Sequence, residues 1–451
     1  MKEIRGPGGE LTEIGKAPGS GIRTERRSSR RKNLALSLLF LTLFFLALLF
    51  GFFSMFSTEA SSRISTVSTG TKAAAVSAET FLNREADFAL DLLRESAGED
   101  IAAGRNAMIS PLSAAEVLSL CAAGAEGKTR SEMEAVIGGG YALSDFHAYV
   151  LETNQRLSGA KESKVRLANS IWMKTGLKPN KAFTDVSQKY YQAELFTVPF
   201  DRETVAKAND WADRNTFGMI RHVVDSFPDD TVISLMNAAA FQGKWKEPYE
   251  ASQIWEKQTF TNASGEKEKV TMLVSSEHFY LTLGRAKGFV KEYQDGDLCC
   301  LCLLPGKGTD LSTFLKSLSG RKLRKAFLGR HLIGGADTLS VTMPEFSSDY
   351  WVDLTSALQK MGIRKAFTKS ADLSFFKGGQ KAGISSVMQA TQITVNRKGT
   401  KAAALTGIAC GASLAGRSHD YEVTLDRPFV YAILDQETGI PVFLGVVNTV
   451  A

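Results

Sequence analysis

The sequence predicts one α+β domain, with helices concentrated in its first half and strands in its second. From residue 79 to about Val224, apolar residues recur mainly at helical spacing. After Thr231, short apolar or alternating runs typical of strands dominate. Helices and strands do not alternate as they would in a parallel α/β fold, so antiparallel or mixed sheets are expected. Because no fixed-period repeat and no polar linker follows residue 80, a single domain is placed at residues 79–451.

Apolar spacing and a helix-start signal predict the first helices. Phe81, Phe88 and Leu92 lie on one helical stripe. Pro111 opens a second helix, because proline fits a first turn, where its missing N–H forms no helical hydrogen bond anyway. Strands are predicted at residues 165–173, 195–200, 232–241, 279–283, 298–304, 339–343, 384–395, 422–425, 429–434 and 442–447.

The charge of the chain is concentrated at its N-terminus. Residues 1–33 hold nine of the 54 Lys and Arg but only four of the 48 Asp and Glu, which leaves 45 basic and 44 acidic residues in the rest. A nearly neutral domain argues against a nucleic-acid partner, since such proteins carry a basic face on the domain itself. One basic run could contact a glycosaminoglycan, although its spacing favours a solvated amphipathic helix. That run is Arg321, Lys322, Arg324, Lys325, Arg330 and His331.

Residues 34–56 form an uncharged, Leu- and Phe-rich segment that follows a basic cluster. Its 23 residues are long enough for a helix to cross a bilayer. The positive-inside rule then predicts a cytoplasmic tail at residues 1–33 and a lumenal or extracellular domain. The length favours a type II signal-anchor, while cleavage of a signal peptide near Ala60, giving a secreted protein, is the other interpretation. The Ser-, Thr- and Ala-rich residues 57–78 are interpreted as a tether.

The cysteines predict neither a disulfide framework nor a metal site. Cys299, Cys300 and Cys302 lie in the continuous apolar run 298–304, with Cys300 and Cys302 expected on one strand face and Cys299 on the other. No histidine or further cysteine pair stands nearby to complete a zinc site. These side chains are therefore interpreted as small core hydrophobes.

Nothing in the sequence predicts an enzyme. The chain has no phosphate-binding loop, nucleophile elbow or metalloprotease motif. Ser418, His419 and Asp420 have the residue types of a catalytic triad, but adjacent residues cannot place the histidine between the other two. No catalytic residue and no cofactor is predicted. Asn262 begins a glycosylation sequon in a polar stretch interpreted as a turn.

The segment from residue 396 to residue 428 carries the functional hypothesis. After Gly399, the alternate residues Thr400, Ala402, Ala404 and Thr406 all have small side chains. Because strand side chains alternate between faces, this set could lie against a tightly packed layer. The Ala- and Gly-rich continuation is nevertheless a poor strand sequence. An exposed loop between two strands is the other interpretation.

Several ordered motifs over residues 80–451 resemble those of the serpin family. Val395 to Ala404 is similar to the family's hinge, and Asp426-Arg427-Pro428-Phe429-Val430-Tyr431 to its C-terminal signature. Further matching runs are Ser110-Pro111-Leu112-Ser113, Asn237 to Trp245, Leu303-Leu304-Pro305-Gly306, Met343-Pro344-Glu345-Phe346 and Met361 to Phe367.

The resemblance implies a fold of about nine helices and three sheets with an exposed reactive-centre loop. It also implies a monomeric suicide substrate that forms a covalent acyl-enzyme complex with a target serine protease. The cleaved loop would then insert into the central sheet as a strand. The small set after Gly399 favours an inhibitor. A non-inhibitory serpin acting as a carrier, chaperone or hormone precursor is the other interpretation.

The resemblance also assigns roles to buried positions. It implies shutter and breach roles for Ser110, Ser113, Asn237, Trp245 and Gln389. Gln389 stands where the family usually has histidine, and its amide can still donate and accept hydrogen bonds. Two further departures are Arg397 and Lys401, which replace the usual acidic residues and are expected to change mainly the surface charge.

The sequence allows two positions for the scissile bond. Counting back from the signature proline gives Arg417-Ser418, which would suit a trypsin-like protease with an acidic pocket. Counting forward from Gly399 gives Ser413-Leu414, which would suit elastase- or chymotrypsin-like proteases. The first count is preferred. Cys410, in the same loop, is expected to be an exposed thiol.

Overall fold

A computed structural model of the protein describes residues 78–139, 142–335, 337–374, 382–400 and 420–450. These residues belong to one compact unit, Ala73–Ala451, and a second unit, Met1–Lys72, lies outside them. In the described ranges the chain forms nine α-helices and three β-sheets. The predicted α+β class is confirmed.

Most helices precede most strands, as predicted. They are α1 (Ala78–Ala102), α2 (Pro111–Ala123), α3 (Gly127–Ile137), α4 (Leu143–Gly159), α5 (Lys181–Tyr191), α6 (Arg202–Asn215), α7 (Leu311–Ser317), α8 (Gly320–Leu328) and α9 (Thr355–Met361). Pro111 is the first residue of α2, in the position that the sequence predicted. Two 3-10 turns, Ala251–Gln253 and Lys365–Phe367, complete the helical elements of the described residues.

The three sheets have seven, four and six strands. The seven-stranded sheet has the order β1 (Ala107–Ile109), β17 (Pro441–Val447), β16 (Phe429–Asp435), β9 (Leu298–Leu304), β8 (Ala286–Glu292), β7 (Phe279–Leu283) and β10 (His331–Leu332). The four-stranded sheet has the order β15 (Tyr421–Thr424), β11 (Leu339–Pro344), β6 (Lys267–Glu277) and β5 (Ile254–Thr261). The six-stranded sheet has the order β12 (Phe346–Asp353), β13 (Ser386–Asn396), β14 (Gly399–Thr400), β4 (Ile233–Lys244), β2 (Ser163–Lys174) and β3 (Glu194–Val198).

The central strands of the six-stranded sheet are buried on both faces. Ile171, Leu235 and Val387 lie in the core that also contains α2. Their sequence neighbours Trp172, Met236 and Met388 lie in a separate core with residues of α6. Because side chains alternate along a strand, each central strand must be apolar at consecutive positions to bury both faces.

The predicted burial of the strand cysteines is confirmed. Cys299, Cys300 and Cys302 are buried in the central strand β9. Cys300 and Cys302 belong to one core and Cys299 to another, as strand alternation requires. Burial raises the pKa of the Cys299 thiol well above the usual value, and the hydrogen bond with Cys300 together with burial does the same for the Cys302 thiol, so both remain protonated.

Strands with polar sequences escaped prediction. The edge strand β12 contains Ser347, Asp349 and Asp353, and β5 and β6 are likewise rich in Glu, Lys and Thr. Such strands expose one face, so their apolar residues are too few to form a continuous run. Pairing with neighbouring strands holds them in place, for example along the whole of β12 against β13.

The predicted type II membrane topology is corrected. Among the described residues, no helix combines the length and the apolar character that crossing a bilayer requires. Residues 34–56, on which the prediction rested, lie outside the described residues, as do the predicted tail 1–33, the tether up to residue 77 and the predicted cleavage position at Ala60.

The basic run beginning at Arg321 does not form one continuous exposed surface. Arg324 is buried on α8, where it donates to the Thr438 carbonyl oxygen and to the side chains of Glu79 and Asn83. The guanidinium of Arg330 lies over the rings of Phe279 and Phe327. The side chains of Arg324 and Arg330 therefore pack against the domain, which agrees with the predicted amphipathic helix.

Candidate functional site

The predicted hinge forms a short strand inside the six-stranded sheet. Strand β14 lies between β13 and β4 and runs antiparallel to both. Its two residues pair on one side with Asn396 and Val395 and on the other with Lys244 and Gly243. The chain therefore turns back from β13 and enters the sheet again beside it.

Beyond β14 the two flanking strands pair directly with each other. Residues Ser386 to Gln392 of β13 pair in parallel with Ser234 to Ala240 of β4. We call these paired segments the seam. A longer β14 can form only if the hydrogen bonds of the seam are first broken, because both strands would need the same backbone groups for the new neighbour.

The two described hinge residues fit tightly at the open end of the seam. Thr400 is only 1% exposed, and its hydroxyl lies 2.7 Å from that of Tyr293. Gly399 has a φ of 151°. A side chain there would collide with the carbonyl oxygen of Gly243, so the position requires glycine. The other predicted hinge residues, Ala402, Ala404 and Thr406, lie outside the described residues.

An aromatic pair holds the chain just before β14. The Trp245 ring stacks on Tyr293 with 4.6 Å between centroids. Its Nε1 donates to the Asn396 carbonyl oxygen at 2.8 Å, and its backbone N–H donates to the carbonyl of Lys398. The buried Trp245, predicted at the breach, thus contacts the hinge directly.

A buried ion pair that the sequence analysis missed lies beneath these rings. Lys291 Nζ is 2.6 Å from Glu277 Oε1, and the two side chains are 3% and 7% exposed. Lys291 also lies 4.5 Å from the ring centroid of Tyr249 and 5.5 Å from that of Trp245. The pair supports the aromatic residues on which the hinge rests. Lys291 stands in β8 together with the charged residues Lys287 and Glu292, so no distinct sequence signal marked the buried pair.

The expectation for Arg397 is corrected by its ion pair. Its Nε and Nη2 lie 3.0 Å from the two carboxylate oxygens of Glu345, and its backbone N–H donates to the same group at 3.1 Å. The side chains are 29% and 23% exposed. Arg397 therefore links the hinge to the end of β11 and the start of β12, so its effect extends beyond the surface charge.

We expect Arg397→Glu to lower the free energy of unfolding by about 1–2 kcal/mol, because the new carboxylate would lie opposite that of Glu345 and the two negative charges would repel each other. The double variant Arg397→Glu with Glu345→Arg should regain most of the loss, because it restores the pair with reversed charges. Urea unfolding of the parent, both single variants and the double variant measures this coupling. If the loss of stability in the double variant equals the sum of the losses in the two single variants, the two side chains do not interact directly.

The predicted shutter residues come together on the opposite face of the sheet from α6. Gln389 accepts from the Ser110 backbone N–H at 2.9 Å and donates to the Ser110 carbonyl at 3.0 Å. It also donates to Asn237 Oδ1 at 2.7 Å, and Asn237 donates to the Ser113 hydroxyl. An amide therefore fills the place of the usual histidine and joins β13 and β4 to the start of α2.

The structure provides little information on the remaining predicted site residues. Arg417, Ser418, Ser413 and Cys410 lie outside the described residues. Asn262 stands at the start of the turn between β5 and β6, where its Oδ1 accepts from Ser264 and its Nδ2 donates to Glu268 at 2.7 Å. Its glycosylation stays a prediction.

The chain is similar to known proteins over the whole described domain. A family model described as "Serpin (serine protease inhibitor)" matches residues 83–450. Serpin-ZXA of Oryza sativa subsp. japonica is 29% identical over 364 residues, which cover 77% of this chain and 91% of that protein. The crystal structure of the thermophilic serpin tengpin in its native state is 30% identical, with a TM-score of 0.75 over 86% of this chain and 98% of that chain.

A further solved structure shares the fold alone. Thyroxine-binding globulin in complex with thyroxine is 22% identical, with a TM-score of 0.73 over 82% of this chain and 99% of that chain. The same architecture therefore occurs in a protein that binds a small molecule.

Proposed function

Because the chain belongs to the serpin family, we propose that it inhibits a serine protease as a suicide substrate. In this proposal the loop after the hinge is cleaved and then enters the seam as a strand. The observation that carries it is the position of β14, which already occupies the open end of the seam between β13 and β4. The inhibitory unit is the predicted serpin domain, residues 79–451.

The covalent step uses the chemistry of the target protease. Its serine oxygen attacks the carbonyl carbon of Arg417 and forms an ester, and the peptide bond to Ser418 breaks. The serine proton passes through the protease histidine to the departing amino group of Ser418. Water would ordinarily hydrolyse the ester, so inhibition requires insertion to finish before this hydrolysis.

The seam suits a new strand of small residues. It contains Ala238, Ala239 and Ala240 on β4, all fully buried. The segment that would enter continues the alternation begun by the buried Thr400, with Ala402, Ala404 and Thr406 at the positions of the same parity. Continuing β14 would place these side chains on the buried face without a bulky or charged group among them.

Trypsin-like proteases are the proposed targets, because Arg417 offers a cation for an acidic specificity pocket. Cleavage at Ser413-Leu414 by an elastase- or chymotrypsin-like protease is the second candidate, supported by the count forward from Gly399. A non-inhibitory carrier, chaperone or hormone-precursor role is the remaining alternative, since the fold occurs in a thyroxine-binding protein too. The small residues after Gly399 favour inhibition over this role.

The experiment is to mix the purified full-length chain with trypsin and to separate the products on a denaturing gel. We expect a covalent band at the summed mass of trypsin and the cleaved chain. Trypsin whose active-site serine is replaced by alanine serves as the control, because it binds without forming the ester. A chain that active trypsin clips without any such band would contradict the proposed inhibition.

A further inference from the structure

Three side-chain amides form a ladder across neighbouring strands of the six-stranded sheet. Asn169 on β2 is paired directly with Asn237 on β4, and Asn237 is paired with Gln389 on β13. Each is 2% exposed or less. Gln389 Nε2 donates to Asn237 Oδ1 at 2.7 Å, and Asn237 Nδ2 donates to Asn169 Oδ1 at 2.6 Å. We call these three residues the amide ladder, and it crosses the seam.

Both ends of the amide ladder lie on one helix. At the β13 end, Gln389 bonds to the backbone of Ser110, the N-cap residue of α2. At the β2 end, Asn169 Nδ2 donates to Glu116 Oε2 at 2.9 Å, and Glu116 lies about 1.7 turns after Ser110 on the same helix. Each amide of the ladder donates one hydrogen bond in the direction of Glu116, so the Glu116 carboxyl group is the last acceptor of this series. Hydrogen bonds aligned in this way polarise and strengthen one another.

The carboxyl group of Glu116 is fully buried. Burial raises its pKa from the usual 4.5 to about 8, although the amides of Asn154 and Asn169 oppose the rise. The titratable group beside Glu116 is Tyr191 on α5, and Cys121 on α2 lies near Tyr191; burial raises the pKa of both, to about 12 for Cys121. His147 on α4 makes an edge-to-face contact with Tyr191, and burial lowers the pKa of His147 to about 4. Near pH 8, Glu116 is therefore the member of this group that changes charge.

We propose that Glu116, carrying a proton, is a positioning residue for strand insertion: it ends the amide ladder that holds β4 and β13 together, and its ionisation loosens the seam. This inference rests on the proposed function, in which those two strands must separate. When Glu116 loses its proton to water, a buried carboxylate remains. Its hydrogen-bond partners among the described residues are neutral amides, so no positive charge balances it. Moving the seam apart lets water reach this charge, so ionisation favours the open sheet.

The direction of the pH dependence follows from the raised pKa. The folded protein holds the Glu116 proton more tightly than the unfolded or opened chain does. The stability that this proton contributes is therefore fully present at acid pH, below the unfolded value near 4.5, and is lost as the pH rises through about 8. The seam should consequently open more often at pH 9 than at pH 6.

Hydrogen exchange of the full-length chain, followed by mass spectrometry of the peptides that cover residues 234–240 and 386–392, measures this opening. Comparing the parent with Glu116→Gln at each pH removes the intrinsic pH dependence of exchange. Gln keeps the acceptor for Asn169 and cannot ionise. We expect the ratio of seam exchange rates, parent over variant, to rise about tenfold or more from pH 6 to pH 9. A constant ratio would overturn the proposal.

Glu85→Gln is the matched control. Glu85 is also buried on α1, and burial raises its pKa too, but it lies outside the amide ladder. Its variant should keep the pH-dependent seam exchange of the parent, and loss of that dependence would contradict a role specific to Glu116. Should Glu116→Gln fail to fold, seam exchange in the parent relative to that of α8 gives the same test. Here a ratio that does not change with pH contradicts the proposal.

Uptake of the acetylated peptide of residues 400–409 by the uncleaved chain separates this proposal from the proposed function. Accelerated uptake at pH 9 in the parent but not in Glu116→Gln would support both. If the peptide fails to bind at every pH while exchange follows the expected ratio, the insertion mechanism fails and the role of Glu116 in the seam stands.

Discussion

Replacing Thr400 with Arg is expected to turn the protein from an inhibitor of trypsin into a substrate that trypsin cleaves and releases. Thr400 is already buried and bonded to Tyr293 at the open end of the seam. A guanidinium there would lose its hydration, and the rings that surround the site hold a cation already, that of Lys291. Burying an unpaired charge costs several kcal/mol. Because about 1.4 kcal/mol changes a rate tenfold, insertion should slow by about a hundredfold or more.

The measurement is the number of chains consumed for each trypsin molecule inhibited, together with the covalent fraction on a denaturing gel. The parent should need about one chain, while Thr400→Arg should be cut at the same bond and leave active trypsin. Thr400→Ser, which keeps a small hydroxyl, and Lys401→Arg, at the opposite parity, should behave like the parent. If Thr400→Arg inhibits as well as the parent, the loop does not act by insertion and a rigid lock-and-key inhibitor becomes the better explanation.

Replacing Arg417 with Ala is expected to abolish inhibition of trypsin. An arginine that enters an acidic pocket is held by a desolvated charge pair, and removing one partner of such a pair costs about 3–5 kcal/mol. The second-order rate constant for trypsin inhibition should then fall by about two to four orders of magnitude. The hinge and the seam are unchanged in this variant, so its capacity for insertion should remain.

Inhibition of an elastase, measured on the same preparations, tests that capacity independently. Ser413→Ala is the companion variant, because it alters the other candidate position and leaves Arg417 in place. It should inhibit trypsin like the parent. Trypsin inhibition that survives Arg417→Ala but is lost in Ser413→Ala would move the scissile bond to Ser413-Leu414.

The central strands could be predicted from the sequence because their burial is complete. Strand β9 has the predicted bounds, β16 and β17 differ from prediction by one residue at one end, and all three are buried at every position. A strand buried on both faces is apolar at nearly every position, and this signal is local. The polar strand β12 carries no such signal, and its place depends on β13, which is distant along the chain.

The residues of the candidate site also differ in how well the sequence predicted them. Gly399, Thr400, Trp245 and Gln389 were identified from motifs, because each belongs to a short run of sequence. The partner of Arg397 was not found, since Glu345 lies 52 positions away and neither residue alone indicates a pair. Glu116 was overlooked for a related reason: on an apolar helix it looks like an ordinary charged residue until its burial is known.

The sequence by itself determined the fold class, the family and the alternation of small residues after Gly399, because each depends on residue types at fixed local spacing. The tertiary structure alone decided where the hinge lies in the sheet, which charges pair and where the amide ladder ends. These features join residues far apart in the chain, and their energies depend on burial and on distances between side chains. Neither quantity is fixed by spacing along the chain, since only the packing of β4 and β13 against α2 brings Gln389, Asn237 and Glu116 into one network.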